Sequence, residues 1–389
     1  MNFPEGFIWG TATAAHQIEG GNWNSDWWAW EHDANGPCRE PSGDACDFLH
    51  RYEDDLALLA RLGQKAFRFS IEWARVEPEV GEYSNAALGH YRRVIDACER
   101  HGLTPIVTLH HFTSPRWFAA RGGWERGENV ACFRRYAERV SRTLGAAIPW
   151  ICTINEPNIV ARIGWQLGHF PPGKRNNALR EQVDQNFIAA HAAALEAFKS
   201  GPGAAKVGLC LAMTEYQALE GGEERTARIR HQNHEIYLDA VKRDASDFIG
   251  VQTYTRARIG EGGTLGPEPG IETTQMGYEF WPGALGATVR EAWAGTGKPV
   301  LVTENGIGTE DDTRRIAFIT EALTSLHGAI ADGANVLGYI HWSAMDNFEW
   351  TLGYVPKFGL IGVDRETFAR RPKPSAAFYA AVCRRNGLT

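Results

Sequence analysis

Eight short apolar runs, each followed by a stretch of helical character, constrain this chain more than any other feature. They cover residues 7–10, 66–71, 105–109, 150–154, 206–213, 247–253, 299–303 and 336–342. Each is too short for a helix and rich in Val, Ile, Leu or Phe, as a strand buried on both faces should be. Between them, apolar residues recur at helical spacing over 51–62, 86–100, 129–144, 181–198, 226–241, 313–330 and 375–384. In the first of these, Leu56, Leu59, Ala60 and Leu62 fall near one face. The pattern is faintest over 226–241.

Strand–helix alternation implies parallel pairing through right-handed crossovers. Eight such units predict an α/β fold, one (β/α)8 TIM barrel. A barrel of ~200 to over 400 residues is one domain, so residues 1–389 are expected to form a single catalytic domain. No low-complexity linker divides the chain, and the Gly/Pro-rich stretches around 36–43 and 260–270 are loop-sized.

In this fold the chemistry sits at the C-terminal ends of the strands. The runs end on reactive or aromatic residues. Gln17 follows the first run and Arg68 lies within the second. His110 and His111 end the third, Asn155 and Glu156 the fourth, Tyr254 the sixth, Glu304 the seventh and Trp342 the eighth. Only the fifth run lacks such a residue, although Glu215 is near it.

Two glutamates stand out, in Ile154-Asn155-Glu156-Pro157 and Val302-Thr303-Glu304-Asn305-Gly306. Each directly follows a buried strand and is expected to point into the barrel mouth. A lone strand-end glutamate is more often an ion-pair partner. Two of them, each beside an asparagine, suit glycosidic cleavage, whose oxocarbenium-like transition state needs a negative group on one side and a proton donor on the other. The two carboxyls must then differ in acidity. An ionised Glu304 would itself raise the pKa of Glu156 by like-charge repulsion.

Composition removes other classes. The net charge is −7 and no Lys/Arg stripe occurs, so no nucleic-acid partner is expected. The seven cysteines are scattered, with no C-x-x-C pair, and read as reduced thiols. The opening MNFPEGFIWG has no basic leader, and no segment is long and apolar enough to span a bilayer, so a cytoplasmic protein with no membrane partner is expected. No closely spaced His/Asp/Glu cluster and no phosphate-cradling glycine loop occurs, so neither metal nor cofactor is expected. Most of the 14 tryptophans should pack in the core, while some could stack on a sugar ring. Trp9, Trp27, Trp28 and Trp30 read as packing residues, Trp27 and Trp28 being possible at the entrance. His110 should face away from His111, because side chains alternate along a strand. Asp44 and Asp47 read as loop-ordering residues.

The motifs that carry these residues resemble family 1 of the glycoside hydrolases, the β-glucosidase and β-galactosidase family. The resemblance runs from Phe7-Ile8-Trp9-Gly10 to Phe358-Gly359-Leu360. It includes the stretch from Thr11 to Gly20, Arg68-Phe69-Ser70-Ile71, Asn155-Glu156-Pro157, Thr303-Glu304-Asn305-Gly306, Trp342-Ser343, Asp346-Asn347-Phe348-Glu349-Trp350 and Gly353-Tyr354. It implies a retaining β-glycosidase acting on a small-molecule glycoside. Glu156 would be the acid/base and Glu304 the nucleophile, their carboxyls about 5–5.5 Å apart. It implies that Arg68 and Tyr254 hold Glu304, that Asn155 binds the sugar 2-OH, and that Gln17, His111, Glu349 and Trp350 bind the other glycone hydroxyls. Trp342 would be the stacking floor.

The chain also departs from the family. Residues 251–255 read Val-Gln-Thr-Tyr-Thr, where the family has asparagine followed by two tyrosines. Gln252 keeps an amide, Thr253 loses a ring, and Phe112 replaces a common tryptophan. The chain is shorter than most members between the fifth and sixth and between the sixth and seventh strands, which suggests a more open mouth beyond the glycone. Glu349 stands where enzymes for 6-phosphorylated sugars carry a small residue, so a neutral glucoside, galactoside or fucoside is expected. The competing reading is a sugar-binding barrel with weak or no catalysis. The oligomeric state is left open.

Overall fold

A computed structural model describes residues 1–388. The eight runs form a closed barrel of parallel strands: Ile8–Ala12, Ala66–Ser70, Thr104–His110, Trp150–Asn155, Lys206–Ala212, Phe248–Gln252, Val300–Glu304 and Val336–Trp342. Each strand pairs with the next along the chain and the eighth pairs with the first, so the protein is a (β/α)8 barrel. The third, fourth and seventh strands extend one residue beyond the apolar runs, to His110, Asn155 and Glu304. Ladder pairing uses backbone groups only and carries on into polar side chains, as in His110 against Ile154 and Glu304 against Gln252.

Helices cover the barrel as the periodicity predicts: Phe48–Arg61, Asn85–Arg100, Val130–Leu144, Asn177–Lys199, Asp312–Ala331 and Pro374–Arg385. The helix Val130–Leu144 shows the logic. It buries Cys132, Phe133, Tyr136, Ala137, Val140, Ser141 and Leu144, at spacings of three and four. Burying one such large apolar side chain is worth ~1.5–3 kcal/mol. Ser84, Asn176 and Asp311 accept backbone N–H groups at the starts of their helices, each cap stabilising by about 1 kcal/mol.

Three segments differ from expectation. The faint pattern over 226–241 is two α-helices, Glu223–Arg230 and Ile236–Arg243, joined by a π-helical turn, His231–Glu235. The wider turn rotates the buried face and blurs a 3.6-residue period. The helix Ala284–Thr296, before the seventh strand, has no strong sequence signal because small residues make its contact. A Cβ on Gly286 would meet Ser325 O at 2.5 Å. The Gly/Pro-rich stretch around 260–270 is likewise more than loop at its start. Arg256–Gly260 pairs antiparallel with Gly263–Thr264 and parallel with Glu215–Ala218.

The core has two layers. Ala12, Ala66, Ile106, Cys152, Cys210, Phe248, Leu301 and Ile340 fill the barrel interior. The larger layer lies between strands and helices. Trp9 belongs to it and donates to Asn386 Oδ1 at 2.8 Å, tying the first strand to the C-terminal segment. Asp47 accepts from Arg51 Nε at 2.8 Å and orders the start of the first long helix. The seven cysteines form no disulfide. Among the described residues, no helix is long and apolar enough to cross a membrane.

Candidate active site

The C-terminal ends of the strands open into a cavity of about 620 Å³. Gln17, His111, Asn155, Glu156, Gln252, Tyr254, Glu304, Trp342, Glu349 and Trp350 all line it. Arg68 is fully buried just beneath, on the second strand. Ala12 pairs with Arg68 on one side and Trp342 on the other, which sets those two residues at one height. Glu304 and Gln252 are likewise register partners on neighbouring strands.

Glu156 leaves the fourth strand in a left-handed conformation, φ 45° and ψ 55°, immediately before Pro157. Proline disfavours the right-handed helical region for the residue before it and fits the first helical position after it. Glu156 N–H still bonds to Cys210 O at 2.8 Å, so the turn is held by the barrel. Phe112 and Trp350 also have positive φ, 70° and 53°. Such backbone costs ~1–3 kcal/mol per residue and gathers at functional sites. After the seventh strand, Gly306 lets the chain pass closely under the floor, since a Cβ there would lie 1.9 Å from Trp342 O.

Glu304 is surrounded by donors. Arg68 Nη1 donates to its Oε1 at 2.6 Å, Gln252 Nε2 to the same oxygen at 3.0 Å, and Tyr254 Oη to Oε2 at 2.6 Å. Burial of Tyr254, reinforced by the Glu304 charge, holds its hydroxyl well above the ordinary tyrosine range, so it stays a donor. Glu156 has no such donor set. Burial raises both carboxyls, but the Arg68 charge and three hydrogen bonds favour the ion at Glu304, whereas the neighbouring Glu304 charge pushes Glu156 further up. Glu304 therefore ionises first and Glu156 keeps its proton.

The polar partners around the pair form one directed network. Asn155 Oδ1 accepts from Arg68 Nη2 and from Gln252 Nε2 at 2.7 Å. Its Nδ2 must then donate, and it faces His111 Nε2 at 3.2 Å. That contact assigns the His111 proton to Nδ1, which is buried and unpartnered. Burial keeps His111 neutral, its pKa well below the usual value. Gln17 Nε2 donates to Phe348 O at 2.6 Å and Asn347 Oδ1 at 3.1 Å, leaving its Oε1 unpartnered. One free donor at His111 and one free acceptor at Gln17 suit sugar hydroxyls, which both give and take. Glu349 lies 3.4 Å from Gln17 Nε2. Burial, then the Glu304 charge, pushes its carboxyl up to about 8.

Residues expected elsewhere are elsewhere. His110 meets Ser114 Oγ at 3.2 Å and packs edge-on against Trp124, on the far side of the strand from His111. Trp27 does not line the cavity. It packs behind Trp350 and against Phe170, with ring centroids 4.5 and 4.7 Å apart. Trp28 stacks on His32. Glu215 is held by Trp281 Nε1 at 2.9 Å. Gln252, noted in the sequence only as a departure, is a member of the carboxylate network. Thr253 turns away and meets Thr288 Oγ1 at 2.6 Å. The shortened segment before the seventh strand still walls the cavity through Leu265, Pro267, Met276 and Tyr278. Nothing in the apolar-run pattern marks these wall residues, because they lie on connecting segments. Among the described residues, no group of three or more His, Cys, Asp or Glu is arranged to hold a metal ion.

Known proteins share this arrangement of chain. The sequence profile of glycosyl hydrolase family 1 matches residues 1–252 and 241–388. A beta-glucosidase A from Acetivibrio thermocellus is 31% identical over 446 residues, covering 100% of this chain and 99% of that protein. The crystal structure of beta-glycosidase BGL167 superposes with a TM-score of 0.93 at 44% identity, over 100% of this chain and 98% of that one. A beta-glucosidase from Thermotoga maritima in complex with glucoimidazole superposes with a TM-score of 0.95 at 29% identity, over 100% of both chains.

Proposed function

The chain belongs to glycosyl hydrolase family 1 and is an O-glycosyl hydrolase of the β-glycosidase type, and from that premise we propose that it cleaves unphosphorylated β-D-glycosides with retention, using Glu304 as nucleophile and Glu156 as acid/base. The observation that carries this reading is the unequal environment of the two glutamates. One has Arg68, Tyr254 and Gln252 around its carboxylate, and the other has no donor and a neighbouring negative charge.

In the first step Glu304 attacks the anomeric carbon while Glu156 gives its proton to the departing oxygen. A glycosyl ester on Glu304 results. Esterification removes the charge that had raised Glu156, so Glu156 becomes the stronger acid and stays ionised after giving up its proton. It can then take a proton from water, which attacks the anomeric carbon and releases the sugar. Arg68 and Tyr254 hold Glu304 at the correct angle. Asn155, oriented by Arg68 and Gln252, meets the sugar hydroxyl next to the anomeric centre. His111 Nδ1–H, Gln17 Oε1, Glu349 and Trp350 bind the remaining hydroxyls, and the Trp342 ring supports the apolar sugar face.

Glucoside, galactoside and fucoside differ at the hydroxyls that Gln17, Glu349 and Trp350 would meet. The names of the Acetivibrio and Thermotoga relatives favour a β-glucoside. The sequence also fits a cytoplasmic enzyme. A mouth open enough for varied aglycones remains part of the reading, with its walls set by the segment around residues 264–279.

The test is a pair of variants assayed on aryl β-glucosides. Glu156→Ala should slow poor leaving groups far more than good ones, since only poor ones need the proton. Glu304→Gly should lose hydrolysis, and azide should restore turnover with an α-glycosyl azide as product. Full activity in both variants would exclude this assignment. An inactive sugar-binding barrel would instead bind glucose without turning over any glycoside.

A further inference from the structure

Four arginines line the cavity: Arg162, Arg180, Arg256 and Arg258. Three are neutralised. Arg180 pairs with Asp184 at 2.7 Å. Arg256 pairs with Glu279 and with Glu268 at 2.5 and 2.7 Å, and Arg258 approaches the same two carboxylates at 3.5 and 3.8 Å. Arg162 is different. It is half-buried on the π-helical turn Arg162–Leu167 and makes no ion pair or side-chain hydrogen bond among the described residues.

Its position is fixed by the path of the chain. Arg162 follows Glu156 on the segment that leaves the fourth strand, Pro157–Ala161 and then Arg162–Leu167, and lines the cavity together with Tyr216 and Tyr278. The fourth strand stands opposite the eighth in the closed barrel, so Arg162 belongs to the Glu156 side of the mouth, across from Trp342. Tyr216, on the same cavity wall, accepts from Asn233 Nδ2 at 2.8 Å. Apolar side chains, Phe112, Ile163, Leu167 and Met276, form the remaining walls. A half-buried guanidinium without a counter-charge, in a cavity otherwise walled by apolar side chains, is a receptor for an anion on a flat apolar body.

Resting on the assignment of Glu156 as acid/base, we propose that the leaving-group side of this cavity takes an aromatic aglycone bearing a carboxylate, with Arg162 as the residue that selects it. The carboxylate pairs with the Arg162 fork, and the ring lies against the apolar walls. The Arg162 charge also offsets the repulsion between an anionic aglycone and the acidic end of the site.

The experiment compares kcat/KM for 3- and 4-carboxyphenyl β-glucosides with the neutral 3- and 4-carbamoylphenyl β-glucosides. The native enzyme, Arg162→Gln and Arg162→Lys are assayed side by side. Leaving-group differences cancel when the acid-to-amide ratio is compared between proteins. For at least one isomer, the ratio should fall about tenfold in Arg162→Gln, the effect of losing one partly desolvated ion pair. Arg162→Lys keeps the charge but loses the fork, so its ratio should lie between those of the native enzyme and Arg162→Gln. A ratio unchanged in Arg162→Gln for both isomers, with the amides still hydrolysed in a Glu156-dependent way, overturns this proposal and leaves the catalytic assignment intact. Failure of the native enzyme to cleave any of the four glucosides removes both.

Discussion

Tyr254 Oη donates to Glu304 Oε2 at 2.6 Å, the oxygen that Arg68 leaves free. The nucleophile is thus gripped on both oxygens, by a charge on one and a neutral donor on the other. A hydrogen bond to a charged group is worth ~1.5–3 kcal/mol. Tyr254→Phe should therefore lower kcat by about tenfold or more, with a smaller change in KM. The bond favours the ionised form, so its loss raises the Glu304 pKa. The acidic limb of kcat/KM against pH should move to higher pH. An unmoved limb would mean that Tyr254 does not tune the nucleophile.

Gln252 joins Glu304 to Asn155 through a single amide nitrogen, at 3.0 and 2.7 Å. Gln252→Leu removes both bonds and keeps the bulk. It should also move the acidic limb upward and weaken substrates that carry a 2-OH more than their 2-deoxy analogues, because Asn155 loses one of its two anchors. Gln252→Asn restores the residue found in the family, but with a shorter reach. Its kcat/KM should lie between those of the native and leucine proteins. Equal loss with 2-hydroxy and 2-deoxy substrates would argue against the link to Asn155.

Glu349, pushed up to about 8 by burial and the Glu304 charge, is largely protonated at pH 7. Its folded pKa is raised, so negative charge builds there as pH rises through 8. Repulsion of a sugar 6-phosphate, dianionic above its second pKa of about 6, should grow over the same interval. The ratio of kcat/KM for an aryl β-glucoside to that of its 6-phosphate should exceed one at pH 7 and increase toward pH 9. Faster turnover of the phosphate, or a ratio flat with pH, would contradict the role given to Glu349.

Arg315 is fully buried and clamps the loops after the seventh and eighth strands. It donates to Ile307 O, Thr309 O, Lys357 O and Phe358 O at 2.6–3.1 Å and pairs with Asp312 at 2.9 Å. Arg315→Met strands several buried carbonyls and should destabilise the fold by about 3–5 kcal/mol. Breaking the exposed Arg228–Glu224 pair with Arg228→Ala should change stability by less than ~1 kcal/mol. Denaturant midpoints of the two variants measure the contrast. Similar midpoints would show that the clamp is not needed.

The barrel was legible because its strands are buried on both faces and so read as unbroken apolar runs. Glu156 and Glu304 were legible because each ends such a run. Gln252 was visible as a substitution, but its role was not, since a sequence shows neither the register that sets it beside Glu304 nor the free space an extra methylene can fill. The helix Ala284–Thr296 escaped because close packing against Ser325 needs glycine and alanine, which erase the apolar stripe. Trp27 reads as a packing residue and is one, but its partners Phe170 and Trp350 are far away in sequence, so the sequence does not show what encloses it.

Incubation with an aryl 2-deoxy-2-fluoro-β-glucoside, followed by protease digestion and mass spectrometry, tests the central assignment most directly. The fluorine slows breakdown of a glycosyl ester more than departure of a good leaving group, so the ester accumulates. One sugar should be found on the peptide containing Glu304, attached to that side chain. A sugar on any other residue, or a β-glycosidase that turns over with no covalent adduct and releases the α-anomer first, would contradict it.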